Sequence, residues 1–204
     1  MLDIDQLTHR YGSRVVLNSV SAQLPANGIS MLVGDNGAGK TTLLRIILGI
    51  LRPTAGSVRW HGQPIRPSAR DTFPVFDTPA FHPRLTGLQN ARTLAPDCDI
   101  SAVPLLSTEQ LRTPVGELSH GQRMRLSLML ALGSSARLLL LDEPATGLDR
   151  SSWERLREAL LERSRTSAIV VTGHIAELYA GMATTTVHLA DGKLTTGAKP
   201  CELV

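Results

Sequence analysis

The stretch that most constrains this chain is Gly34-Asp35-Asn36-Gly37-Ala38-Gly39-Lys40-Thr41-Thr42, which fits the pattern G-x-x-x-x-G-K-[ST]. Ile29 to Val33 before it reads as a buried strand. Leu43, Leu44, Ile46, Ile47 and Leu48 after it read as the apolar face of a helix. Strand, glycine-rich loop and helix, in that order, is the setting in which such a loop cradles phosphate. Its glycines let the backbone of residues 34–42 curl so that several N–H groups point inward at phosphate oxygens. A helix opening at about Lys40 adds its unpaired N–H groups and the positive end of its dipole. Lys40 is then placed to reach β- and γ-phosphates, and the Thr41 hydroxyl to ligate Mg²⁺.

Composition narrows the remainder. The chain has 204 residues, 42% hydrophobic and 19% charged, which suits one globular domain with a small appendage. A formal net charge of +3 suits a phosphate ligand or an anionic surface, and there is no polybasic run of the kind that binds nucleic acid. Cys98 and Cys201 stand apart without metal-ligand spacing, as free thiols of a reducing compartment do. Met1 to Tyr11 carries Asp3 and Asp5 and lacks the apolar core of a signal peptide. No apolar run approaches the roughly 20 residues that span a bilayer, so any spanning part belongs to another chain.

Along the chain, Leu2, Ile4 and Leu7 predict an opening strand and Val15 to Leu24 a second, joined by the turn at Tyr11-Gly12-Ser13. Tyr11 has two readings from local sequence, a platform for an adenine ring or a ring half-buried against the turn. Short strands are expected at Ser57 to His61 and Phe73 to Phe76, with Asp77 directly after the second. Residues 78–118, rich in Pro, Thr and Ala, read as an inserted helical subdomain whose clearest helix is Leu85 to Leu94. Ser119 is placed to cap a helix carrying Met124, Leu126, Leu128, Met129 and Leu132. The N–H groups around Gly121 then make a second helix start suited to phosphate.

Arg137 to Leu141 is a buried-type strand running into Asp142-Glu143-Pro144. In a chain with a phosphate loop, two carboxylates at a strand's C-terminal edge have a specific use. Asp142 can hold Mg²⁺ from the side opposite the phosphates, and Glu143 can act as general base toward water. Thr146-Gly147-Leu148-Asp149 is a turn that can direct Asp149 toward a neighbouring subunit. An amphipathic helix (Trp153 to Arg163) and a buried strand (Ala168 to Thr172) follow. His174 then stands at that strand's carboxyl edge, where open α/β sheets place ligands. Thr185 to Leu189 and Lys193 to Thr196 read as a closing hairpin around Asp191-Gly192.

In their order and spacing these motifs resemble the nucleotide-binding subunits of ABC transporters. The phosphate loop, Leu118-Ser119-His120-Gly121-Gln122, Leu139-Leu140-Leu141-Asp142-Glu143 and His174 correspond to that family's Walker A, signature, Walker B and switch positions. The resemblance covers nearly the whole chain. It implies an α/β fold: a P-loop NTPase (RecA-like) core with an N-terminal antiparallel β subdomain and a short inserted helical subdomain. Residues 1–204 would form one ABC ATPase domain, with 1–77 and 119–204 as core and 78–118 as the insertion. It implies ATP and Mg²⁺ as ligands, with Tyr11 against adenine and His174 sensing the γ-phosphate. Ser119, Gly121 and Gln122 would clamp ATP held by a facing second ATPase subunit, in a homodimer, and Asp149 would cross that seam.

The expected partner is an integral membrane permease, met at the cytoplasmic face of the membrane, with no nucleic acid. Phe81, Pro83 and Leu85, read as exposed, are the expected permease contact. The Leu118 to Leu126 stretch and the Tyr11-Gly12 opening look more like exporters than nutrient importers. A soluble non-transport ABC ATPase is the other class, although the coiled coils or paired cassettes of such proteins do not fit 204 residues. Three departures stand out. His120 replaces the usual second glycine of the signature. Asp77 replaces a usual Gln, at a position expected to approach Mg²⁺. The segment between Asp77 and Leu118 is short.

Overall fold

A computed structural model of the chain describes residues 1–65, 71–173 and 176–197. Two sheets organise it. The first is antiparallel, with strands in the order β2-β1-β4-β5: β1 (Leu2–Tyr11), β2 (Arg14–Leu24), β4 (Ala55–Trp60) and the short β5 (Gln63–Pro64). The second has the order β10-β9-β3-β8-β7-β6: β3 (Gly28–Val33), β6 (Thr72–Val75), β7 (Leu138–Leu141), β8 (Ala168–Gly173), β9 (Ala183–Ala190) and β10 (Lys193–Gly197). Its neighbours pair in parallel from β9 across to β6, while β10 turns back antiparallel to β9 as the closing hairpin.

The apolar runs explain the second sheet. Every residue of β7 and β8 is buried, as befits parallel strands covered on both faces. Alternation along them divides the interior in two. Leu139, Leu141, Ile169 and Val171 join Met31 on one side, with Leu126, Leu128 and Leu156. Leu138, Leu140, Ala168 and Val170 join Leu32 on the other, with Leu43, Leu44, Ile47 and residues of the antiparallel sheet. The period-two geometry of a strand is thus what assigns each helix to a face.

The first face carries α4 (His120–Gly133) and α5 (Arg150–Ser164), and the second carries α1 (Lys40–Ile47). Between Asp77 and Leu118 lie α2 (Gly87–Leu94), α3 (Thr108–Arg112) and a 3-10 turn (Val115–Glu117). Both short helices begin with reciprocal capping boxes, Thr86 with Gln89 and Ser107 with Gln110. The cap at Thr86 explains why α2 starts at Gly87 and not at Leu85. Similarly, α5 begins three residues before Trp153, because Asp149 caps a polar first turn that has no apolar periodicity to announce it. Tyr11 is the last residue of β1 and does not lie within the turn.

The fold places the C-terminal ends of β3, β7 and β8 side by side, because Leu141 pairs with Val171 and Val33 with Gly173. Leu139, wholly buried between β6 and β8, is central to that alignment. Leu139→Ala is expected to lower unfolding free energy by about 2–5 kcal/mol, read as a shifted midpoint in urea at constant slope.

Candidate functional site

The loop from Gly34 to Gly39 leaves the end of β3 and enters α1. Two of its glycines are required for different reasons. At Gly34 a Cβ would lie 2.4 Å from the Leu189 carbonyl oxygen, so β9 presses on the loop's first residue. Gly39 has φ 108° and would also meet Val16 Cγ1 at 2.8 Å. The Ala38 N–H closes a turn onto the Asp35 carbonyl at 3.1 Å.

Lys40, the first residue of α1, is 6% exposed. A cation so buried needs partners. Its Nζ donates to the carbonyls of Gly34 (2.7 Å) and Asp35 (3.2 Å) and lies 3.8 Å from Glu143 Oε1. The ammonium therefore sits between the loop and the carboxylate expected to serve as base.

Asp142 lies at the end of β7, also buried, and its carboxylate is held from two sides. Thr41 Oγ1 donates to Oδ2 at 2.7 Å and Thr172 Oγ1 to Oδ1 at 2.6 Å. The Thr172 hydroxyl also accepts from the Glu143 N–H at 2.9 Å. A hydroxyl and a carboxylate in contact beside a phosphate loop form the hard-oxygen pair that Mg²⁺ takes from protein, the rest of its shell coming from water and phosphates. The residues present fit that ion. Glu143 itself has φ 49°, a left-handed conformation that costs a non-glycine residue free energy and recurs at active sites.

A cavity of about 480 Å³ runs along this edge, lined by Tyr11, Asn36, Lys40, Thr41, Thr42 and Glu143 among others. Tyr11 is 48% exposed, and the His9 ring meets it edge-on at 4.8 Å. Arg14 lines the same cavity and was not anticipated. The signal for it was the hairpin register, since Arg14 is the cross-strand partner of Tyr11.

Other expected site residues lie elsewhere. Ser119 caps α4: its Oγ accepts from Gln122 N–H, and the Gln122 side chain accepts from Ser119 N–H at 2.7 Å. Neither they nor Gly121 line the cavity, and the Gly121 Cα faces open space. Asp77, expected near the metal, has a different partner. It is not part of the cavity lining, and its Oδ1 lies 3.1 Å from His120 Nε2. Two of the three departures from the family pattern, Asp77 and His120, thus meet each other, because the chain after β6 turns toward the start of α4.

Asp149 is likewise engaged within its own chain. It accepts from Ser152 N–H (2.8 Å), Ser151 Oγ (2.8 Å), Ser152 Oγ (3.0 Å) and Arg125 Nη2 (2.9 Å). Those bonds, the Ser152 N–H foremost, hold its carboxyl well below the usual carboxylate range. Burial and then Asp99 push the Cys98 thiol up to about 11, so it stays protonated. His174 and Cys201 lie outside the described residues.

Phe81 is half-buried and packs against the larger core, which corrects the expectation that it stands exposed. It forms one wall of an apolar groove of about 440 Å³ shared with Leu48, Ile50, Phe73, Phe76 and Leu94. Pro83 and Leu85 do not line the groove, and their carbonyls accept from Gly116 and Val115.

Phosphate loop, buried lysine and a hydroxyl–carboxylate pair at the sheet's C-terminal edge define a P-loop protein that binds nucleoside triphosphate. Comparison with known proteins carries this further. Residues 17–146 match the sequence model of the family described as ABC transporter. The chain is 30% identical to a lantibiotic transport ATP-binding protein of Streptococcus pyogenes, over 95% of this chain and 89% of that protein. It is 36% identical to the Nod factor export ATP-binding protein I of Burkholderia orbicola, over 86% of this chain and 63% of the relative. Among solved structures, a dimeric ATP-binding cassette in a post-hydrolysis state bound to ADP and Pi superposes with TM-score 0.85 at 20% identity, covering 100% of both chains. An ATP-binding subunit of an ABC transporter superposes with TM-score 0.83 at 23% identity, over 97% of this chain and 90% of the other. The chain belongs to the ABC transporter family.

The Asp149 cap carries a pH signature. Its folded-state pKa is depressed, so its stabilisation is complete above the ordinary carboxylate value of about 3.9 and is lost as pH falls through the folded value. Asp149→Asn is therefore expected to be less stable than the parent at neutral pH, with the gap in thermal midpoint narrowing as pH drops below about 4.

Proposed function

We propose that this chain is the ATP-hydrolysing subunit of an exporter, driving a separate membrane permease at the cytoplasmic face of the membrane. Residues 1–204 act as one cassette, with 78–118 as its shortened helical subdomain. The observation that carries the reading is the cluster at the sheet's edge. There the Thr41 hydroxyl, the Asp142 carboxylate and Glu143 converge beside the Lys40 loop. Both relatives described above are named as transport or export ATP-binding proteins. Among the described residues no helix is long and apolar enough to cross a membrane.

In this reading the loop N–H groups and the α1 N-terminus bind the triphosphate, and Lys40 exchanges its loop carbonyls for β- and γ-oxygens. Thr41 and Asp142 hold Mg²⁺, which neutralises developing phosphate charge when bound. Glu143 accepts a proton from the attacking water as the water's oxygen bonds to the γ-phosphorus and the bond from that phosphorus to the bridging β–γ oxygen breaks. Tyr11 supplies a face for adenine, and His174 contacts the γ-phosphate. Two copies close head to tail, so that Ser119 and Gly121 of one meet the nucleotide on the other and water is excluded. The apolar groove containing Phe81 and Ile50 receives the permease.

Glu143→Gln is expected to bind ATP, dimerise on gel filtration and hydrolyse at least ~100-fold more slowly. Lys40→Ala is expected to lose nucleotide binding. Hydrolysis at the parent rate in Lys40→Ala, or by the parent as a strict monomer, would sink the reading. For the groove, Ile50 is 62% exposed and can be changed without touching the core. Ile50→Asp should abolish co-purification with the permease while nucleotide binding persists, and unchanged assembly would remove the groove from the interface.

A further inference from the structure

Where β3, β7 and β8 begin, at the edge of the parallel sheet opposite the phosphate loop, lies an open cavity of about 520 Å³. Asn27, Ser135, Arg137, Arg163, Arg165 and Thr166 are among its walls, and among the described residues no Asp or Glu lines it. The six residues of β3 set it about 20 Å from the phosphate loop, so it is no part of the nucleotide site. Its floor is held by backbone bonds: the Gly28 N–H donates to the Ser167 carbonyl and the Ala168 N–H to that of Arg137.

The fold asks different things of the three guanidinium groups. Arg163 is half-buried and locked, its Nη2 donating to the carbonyls of Ser134 and Ala136 and its Nη1 to Thr166 Oγ1 at 3.4 Å. It has no carboxylate partner among the described residues, and burial pulls its pKa down. Arg137 is exposed and makes no ion pair or side-chain hydrogen bond with another described residue. Arg165 pairs with Glu162, but the two side chains are 73% and 71% exposed, and such a contact contributes little. Three cations facing one carboxylate repel one another. Only Arg163 offsets that with bonds that hold the connection from α4 to β7, so the fold alone does not account for Arg137 and Arg165.

We propose that this cavity is a second anion site, taking a phosphate-bearing ligand between Arg137 and Arg165 above the fixed charge of Arg163. Guanidinium forks match phosphate oxygens with paired N–H donors, and the Asn27 amide and Ser135 hydroxyl add neutral donors at the same wall. A soluble phosphate and the headgroup of an anionic lipid share this chemistry. The site stands apart from the function proposed above, because none of its residues lines the cavity of the phosphate loop.

The test is calorimetric titration of inorganic pyrophosphate into the full chain, as the parent, Lys40→Ala, Arg137→Glu and Arg165→Gln. In Lys40→Ala, which weakens the phosphate loop, one site should remain, and adding Arg137→Glu or Arg165→Gln should weaken it about tenfold or more. In the otherwise unaltered chain, Arg137→Glu should lower the number of sites by one. Because Arg137 is exposed among like charges, Arg137→Glu should melt at or above the parent's temperature in phosphate-free buffer. Co-sedimentation with phosphatidylcholine vesicles, with and without phosphatidylglycerol, separates the two sources. Pyrophosphate binding assigns a soluble phosphate, and binding only to vesicles containing phosphatidylglycerol assigns a headgroup, provided that Arg137→Glu and Arg165→Gln each weaken it. Binding of neither probe, or binding that both substitutions leave unchanged, overturns the site and leaves the proposed function standing. Retention of nucleotide binding by Lys40→Ala counts against the proposed function and not against this site.

Discussion

The Asp142 carboxylate is the joint on which the site depends. One oxygen is tied to Thr41 at the start of α1 and the other to Thr172 on β8, while its own N–H donates to the Val75 carbonyl of β6. A single residue at the end of β7 therefore fixes the phosphate-loop helix against its own strand and the two strands beside it. A carboxylate so buried is tolerable only when its oxygens are satisfied. Here the bonds that satisfy it also set the distance between hydroxyl and carboxylate that a small, hard cation requires.

The sheet beneath makes that joint reproducible. Residues of opposite parity on β7 and β8 enter opposite cores, so a one-residue slip of either strand would exchange the two interiors. Register, and with it the place of Asp142 beside Thr172, is held by burial on both faces. The candidate site sits at the point where this apolar order ends and the chain's polar groups emerge together.

Much of this was legible in the sequence, for physical reasons that can be named. The phosphate loop declares itself because its glycines answer to backbone constraints, as Gly34 does to the Leu189 carbonyl and Gly39 to its positive φ. The strands declare themselves as short apolar runs. Less legible were features made by pairing across the fold. Nothing local joins Asp77 to His120, which lie 43 residues apart and meet only because β6 ends near the start of α4. The cap role of Asp149 was masked because Arg150-Ser151-Ser152 shows no apolar period, and Phe81 looked exposed because its partners come from the core.

The left-handed backbone at Glu143 sets two demands against each other. Glycine there would relax the main chain and discard the acid, and asparagine would ease the torsion while surrendering the negative charge. Any replacement that eases the main chain here also alters the charge beside Lys40, so backbone comfort and local electrostatics cannot be tuned separately at this position.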